Sequence, residues 1–133
     1  MLTDNFLKKV YGIRSLDLFL YNNNECVLNY LGAPNYEFLY GDMVDSGFIK
    51  KALDGVDCVI VLSGLVGDPI TKKYPKESVI INDQGVKNVI DVCAEKGIQK
   101  FIFVSTCSNY GLIEGNNMAD EEYILNPLSL YAK

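Results

Sequence analysis

Thr106 and Tyr131 stand twenty-five residues apart, in the segments Phe103-Val-Ser-Thr-Cys-Ser-Asn-Tyr-Gly111 and Asn126-Pro-Leu-Ser-Leu-Tyr-Ala-Lys133. An aliphatic hydroxyl and a phenol are groups that can hold a substrate hydroxyl and take its proton. A free phenol titrates near ~10, so such a base needs an ammonium close by to reach its anion at neutral pH. On a helix that cation belongs four residues further on, and Lys133 would point about 200° away from Tyr131. The position that would serve, 135, lies past the last residue of this sequence. The chain has no histidine, which excludes Ser-His-Asp hydrolysis and histidine-based metal sites.

The elements that must position these groups follow from periodicity. Leu2, Phe6 and Val10 recur at helical spacing, predicting a helix over 3–11 that ends at Gly12. Residues 13–21 read as a strand closed by the turn Asn22-Asn-Asn24, and 36–40 as a second strand with aromatics on one face. Residues 46–54 predict a short helix burying Phe48, Ala52 and Leu53 and stopping at Gly55. The apolar run 57–62 and the segment 98–105 read as strands buried on both faces. Between them, 79–96 forms a helix with Val86, Val89, Ile90 and Cys93 on one stripe, ending at Gly97. Helices alternating with buried strands imply βαβ crossovers, a parallel sheet and a doubly wound α/β fold in one domain, residues 1–133.

In such folds ligands bind beyond the carboxyl ends of the strands. Asp17 lies near the end of the first strand, where a carboxylate can accept hydrogen bonds from a ribose diol and oppose a 2′-phosphate; a turn-stabilising aspartate is the alternative. Asp42 and Met43, in Gly41-Asp-Met-Val-Asp45, follow the second strand, though Gly-Asp is also ordinary turn chemistry. Leu62, Ser63 and Gly64, in Leu62-Ser-Gly-Leu-Val-Gly67, follow the third, where small residues let a backbone approach a cofactor. Asn82-Asp-Gln-Gly-Val-Lys-Asn88 opens a helix, and Ser105 precedes Thr106.

Taken in order, these segments resemble the extended short-chain dehydrogenases/reductases of the NAD-dependent epimerase/dehydratase family. They match its Gly-Asp-x-x-Asp element, its Asn-x-x-Gly-Thr-x-Asn helix start, and its serine/threonine and tyrosine motifs. The segment at 61–64 departs from the family's usual His-Leu-Ala-Ala type. The resemblance implies a Rossmann-type domain that binds NAD through Asp17, Asp42, Met43, Leu62, Ser63, Gly64, Asn82 and Ser105. It implies that Thr106 holds a nucleotide-sugar hydroxyl and Tyr131 takes its proton while hydride passes to the nicotinamide. It also implies a missing first strand with its Gly-rich loop and a missing lysine, so that this stretch is a fragment, weak in NAD binding and inactive alone. A homodimer or a complementing chain would then cover the open strand edges. A non-catalytic dinucleotide-binding or interaction module on the same fold is the alternative.

The bulk composition fits this reading. With 49% hydrophobic and 22% charged residues and mean hydropathy +0.09, the chain is too apolar for disorder. A net charge of −5 without a basic cluster weighs against a nucleic-acid partner. No run approaches the ~20 apolar residues that span a bilayer, and the start lacks a signal-peptide core, so a cytoplasmic location is expected. The four cysteines show no CxxC spacing and are expected to be free thiols, with Cys58 and Cys93 buried; no metal is expected.

Overall fold

The computed structural model describes residues 2–113, 115 and 117–133. Helix α1, Leu2–Lys8, precedes strand β1, Ile13–Asp17, and short α2, Glu25–Leu28, leads to β2, Tyr36–Tyr40. Then follow α3, Ser46–Ala52, and β3, Cys58–Val61. Helices α4, Asp68–Lys73, and α5, Pro75–Ser78, run into a π-helical turn, Val79–Gly85, and on into α6, Val86–Glu95. Strand β4, Lys100–Phe103, ends in a 3₁₀ turn, Cys107–Tyr110.

All strand pairing is parallel, in two separate ladders. Ile13 faces Tyr36 and Asp17 faces Tyr40 in the first; Cys58 faces Lys100 and Val61 faces Phe103 in the second. Among the described residues no ladder joins β1 to β3, and no strand precedes α1. Helices α3 and α6 pack together on one face, and both connect parallel strands. Right-handed crossovers then place β2, β1, β3 and β4 in that order across the sheet, with β1 and β3 facing each other. This is the doubly wound architecture expected from the alternation of elements.

One small core ties the pieces together. Ile49 and Leu53 from α3 meet Val61 from β3 and Val89, Val92 and Cys93 from α6, with Leu16, Val59 and Phe101 packed against them. The sequence places several members of this core correctly and misses others. Ile90 is 45% exposed, and Val92, at 2%, takes its place on the buried stripe. Ile49, which the sequence reading omits, is buried in α3 beside Ala52, while Phe48 stays half-buried and turns its ring onto Gly41, where any β-carbon would overlap it. The strands are also shorter than periodicity suggests. Phe19 leaves the extended region with φ 52° and stacks on Phe38 at 4.9 Å, which ends β1 early.

The opposite face of β3 and β4 is open. Ile102 is 50% and Val104 57% exposed. Cys58 lies on that face and is exposed, contrary to the expectation that a cysteine in this apolar run is buried. All four thiols are free, and Cys93 alone is buried, which pushes its pKa above the ordinary thiol value. In the folded chain three thiols, Cys26, Cys58 and Cys107, should therefore react within the fast phase of a thiol-reagent titration at pH 8. Cys93 should react only on unfolding. Four fast thiols would show that the α6 core is open.

Candidate functional site

The carboxyl ends of β1, β2 and β3 converge on a cavity of about 190 Å³. It is lined by Asp17, Asp42, Met43, Leu62, Ser63 and Gly64, together with Leu20, Tyr21 and Asn23 from the loop after β1. Six of the sequence-predicted cofactor residues thus meet in one place. Local hydrogen bonds hold the two acids. Asp17 accepts from Phe19 N at 2.7 Å through Oδ1, and Asp42 from Val44 N at 3.0 Å, each a turn closed by its own side chain. In both cases the second carboxylate oxygen stays available. The turn-forming and ligand-binding alternatives for Asp17 are therefore compatible.

Asn82 does not line this cavity; it builds one wall. Its Oδ1 accepts from Leu65 N at 2.7 Å and its Nδ2 donates to Leu65 O at 2.9 Å, so one amide satisfies both backbone groups of the loop after β3. Gly64 lies so near that a β-carbon there would come within 3.1 Å of Asn82 Oδ1. The π-helical turn carries Asn82 and widens the helix at this point, a feature that recurs at functional sites. Three residues on, Gly85 lets Met43 pack against the helix, and Asn88 Nδ2 donates to Met43 O at 2.7 Å. The Asn82-x-x-Gly-x-x-Asn88 spacing therefore fixes the loops after both β2 and β3.

A second, larger cavity of about 670 Å³ surrounds Tyr131. Asp68 and Lys72 of α4 line it, with Ser108, Ser129, Leu112, Leu128 and Leu130. Thr106 does not line it. Its Oγ1 caps the 3₁₀ turn by accepting from Ser108 N at 3.2 Å, and Ser108 stands at the cavity instead. Ser105 also sits outside both cavities; its Oγ accepts from Asn109 Nδ2 at 3.5 Å. The structure thus brings Tyr131 together with Ser108, which sequence reasoning passed over, and leaves Thr106 one turn away with its own hydroxyl proton still to donate. Alternation of polar positions within Thr106-Cys-Ser108 is the signal that would have marked Ser108.

Tyr131 itself lies in a single turn, Lys133 N donating to Ser129 O at 3.3 Å, where the sequence predicts a helix start. This segment is held to the 3₁₀ turn. Asn126 N donates to Asn109 O at 3.0 Å, and Gly111, with φ 72°, lies against Asn126 O so closely that a β-carbon would overlap it. Among the described residues no group of acids, cysteines or histidines could hold a metal ion, and no helix is long and apolar enough to cross a membrane.

Comparison with known proteins gives the family and the fold. Residues 3–131 match the 3-beta hydroxysteroid dehydrogenase/isomerase family. Over 93 residues the chain is 32% identical to a UDP-N-acetylglucosamine 4,6-dehydratase (inverting) from Campylobacter jejuni, covering 68% of this chain and 28% of that protein. It is 29% identical over 90 residues to a 3 beta-hydroxysteroid dehydrogenase/Delta 5-->4-isomerase from Mycobacterium tuberculosis, covering 65% and 24%. A dTDP-glucose 4,6-dehydratase from Streptomyces venezuelae, solved with NAD bound, superposes with TM-score 0.86 at 23% identity. That match covers 98% of this chain and 42% of the solved one, and shows the shared fold. The chain spans about a quarter of the length of these curated relatives.

The wall of the smaller cavity rests on one side chain. Asn82→Ala should remove both bonds to Leu65 and destabilise the fold by about 1–3 kcal/mol, the cost of leaving buried backbone groups unmet. Asn82→Asp, which keeps the acceptor and loses the donor, should fall between the two. Urea unfolding measures both; equal stability of all three proteins would mean that Leu65 is held by something else.

Proposed function

The chain belongs to the 3-beta hydroxysteroid dehydrogenase/isomerase family of extended short-chain dehydrogenases/reductases, and from that premise we propose that residues 1–133 form part of an NAD-binding domain acting on a nucleotide sugar. One observation carries the reading. A single stretch, residues 62–68, supplies Leu62, Ser63 and Gly64 to the smaller cavity and Gly67 and Asp68 to the larger one. Gly64 and Gly67 are three residues apart, no more than about 11 Å even when fully extended. One ligand running along this stretch can therefore reach both cavities.

The smaller cavity suits the nucleoside end of NAD. Its volume is below the ~300 Å³ of a whole-ligand pocket, so it takes part of the cofactor. Asp17 would accept from the ribose diol, and its charge would oppose a 2′-phosphate. Asp42 and Met43 would lie against the base, with Ser63 and Gly64 allowing close backbone approach and Asn82 supporting them from behind. Bound NAD supplies a hydride acceptor.

In the larger cavity the chain's own groups act on the substrate. Tyr131 takes the proton of a sugar hydroxyl as its carbon is oxidised. Ser108, within the 3₁₀ turn, donates to or accepts from that hydroxyl and holds it in place, while Thr106 positions Ser108 by capping the turn. Asp68 and Lys72 favour a polar substrate here over a steroid, because an apolar ring system would strip both charges of water without replacing it. Epimerisation and dehydration share this first oxidation, and both occur among the relatives.

The four free thiols fit a reducing compartment, which supports a cytoplasmic location. The paired ladders with open edges fit a homodimer or a complementing chain.

Two measurements test the proposal. Titrating NAD into the labelled chain should move the amide signals of Asp17, Asp42, Ser63 and Gly64, with NADP weaker and with Asp17→Ala reducing the preference. In a polypeptide that carries this domain and turns over a nucleotide sugar, Tyr131→Phe should lower kcat by about 10²-fold or more and leave NAD affinity within about twofold. Full activity of Tyr131→Phe would remove the tyrosine from the chemistry.

A further inference from the structure

The wall of the larger cavity carries two opposite charges that do not bond to each other. Asp68, in the first turn of α4, and Lys72, in its last, both line the space around Tyr131. A carboxylate four residues before an ammonium is the favoured order for an ion pair along a helix. In α1 the same order gives one, Lys8 Nζ donating to Asp4 Oδ2 at 3.1 Å. In α4 it does not. Among the described residues neither the Asp68 carboxylate nor the Lys72 ammonium has an ion-pair or hydrogen-bond partner.

Packing fixes where the pair points. Thr71, between them in sequence, is buried and shares its hydroxyl between Gly67 O and Asp68 O, each at 3.3 Å, so α4 cannot roll about its axis without exposing it. Lys73 lies 5.1 Å from the centre of the Tyr74 ring, and of the three lysines in this segment Lys72 is the one that lines the cavity. At about 670 Å³ the space has the size of a whole-ligand pocket, ~300–1,000 Å³. Its polar wall is one ammonium, one carboxylate and the hydroxyls of Ser108 and Ser129 beside the phenol of Tyr131.

We infer that Lys72 and Asp68 select a sugar that carries an acidic group, a carboxylate or a phosphate, with Lys72 binding the acid and Asp68 accepting from a ring hydroxyl beside it. A neutral sugar satisfies Asp68 but offers Lys72 only hydroxyl oxygens, whereas an ionised acceptor gives a hydrogen bond roughly twice as strong. A bare anion satisfies Lys72 but meets the like charge of Asp68. A ligand with both a hydroxyl-bearing ring and an acid serves both groups and leaves Tyr131 beside the ring. The inference rests on the function proposed above, which places a sugar hydroxyl at Tyr131, and narrows the substrate class within it.

The experiment titrates methyl glucoside, glucuronate, glucose 1-phosphate and inorganic phosphate into the labelled chain, following the amide signals of Ser108, Ser129 and Tyr131. At least one acidic sugar should bind about fivefold or more tighter than methyl glucoside. Glucuronate as the tighter probe identifies a ring carboxylate as the acid, and glucose 1-phosphate an anomeric phosphate. Lys72 is exposed, so its variants should keep the fold. Lys72→Met should erase the acid's advantage and leave methyl glucoside unchanged, while Lys72→Arg should hold it within about threefold. Asp68→Asn, which removes the like charge, should tighten inorganic phosphate. Absence of an acid preference, a preference that survives Lys72→Met, or inorganic phosphate binding as tightly as the acidic sugars would each overturn the inference. The NAD titration reads the proposed function separately. A Lys72-dependent preference without NAD binding keeps this subsite and sinks that function; NAD binding without the preference does the reverse.

Discussion

The two strand ladders are held against each other by a helical layer, because among the described residues no strand ladder joins them. Ile49 and Leu53 of α3 and Val89, Val92 and Cys93 of α6 are shared by both sides of the sheet, with Leu16 touching from one ladder and Val59, Val61 and Phe101 from the other. Non-directional contacts of this kind can fix a distance but not a register. Arg14 supplies direction. Its guanidinium donates to Ala52 O at 2.6 Å and Asp54 O at 2.8 Å at the end of α3, and to Glu37 on the neighbouring strand. The first ladder is thereby locked along the axis of the helix that leads into the second. Everything lining the smaller cavity inherits that alignment.

Asn82 turns the alignment into a site. A helix of regular pitch would carry its residues past the β3 loop at one fixed radius, whereas the π turn lets one amide reach across to Leu65 and grip both of its backbone groups. Leu65 sits midway between the residues that line the smaller cavity and those that line the larger. Clamping it leaves Ser63 and Gly64 on one side and Gly67 and Asp68 on the other. The amide of Asn82 satisfies a loop that would otherwise leave polar backbone half-buried.

Much of this was legible in the sequence, and the reasons are local. Alternating apolar runs and glycine stops marked β2 to the residue, and small residues after β3 marked the cavity wall. What escaped was set by distant contacts. Cys58 lies in an apolar run that reads as buried on both faces, yet among the described residues the second face of β3 and β4 stays largely open. Val92 displaced Ile90 because α3 packs against the face of α6 that carries Val89, Val92 and Cys93, a choice periodicity alone cannot make. Thr106 carries the family's spacing to Tyr131, but a threonine ahead of a tight turn competes for the local N–H. Here it caps Ser108, and Ser108 faces the tyrosine's cavity.

That competition also explains how a spacing of twenty-five residues can be held without a continuous element. Between the 3₁₀ turn and Tyr131 the chain has no regular structure among its described residues, so the separation in space depends on where the segment returns. It returns at Asn126, whose N–H meets Asn109 O and whose own carbonyl lies against the α-carbon of Gly111. Only glycine leaves room for that approach, and only a positive φ at 111 turns the chain out of its way. Asn126 is five residues before Tyr131, and Asn109 three after Thr106, so a bond of 3.0 Å sets the scale on which the two hydroxyls can meet. The geometry that matters is thus closed by backbone atoms at the neck of this segment.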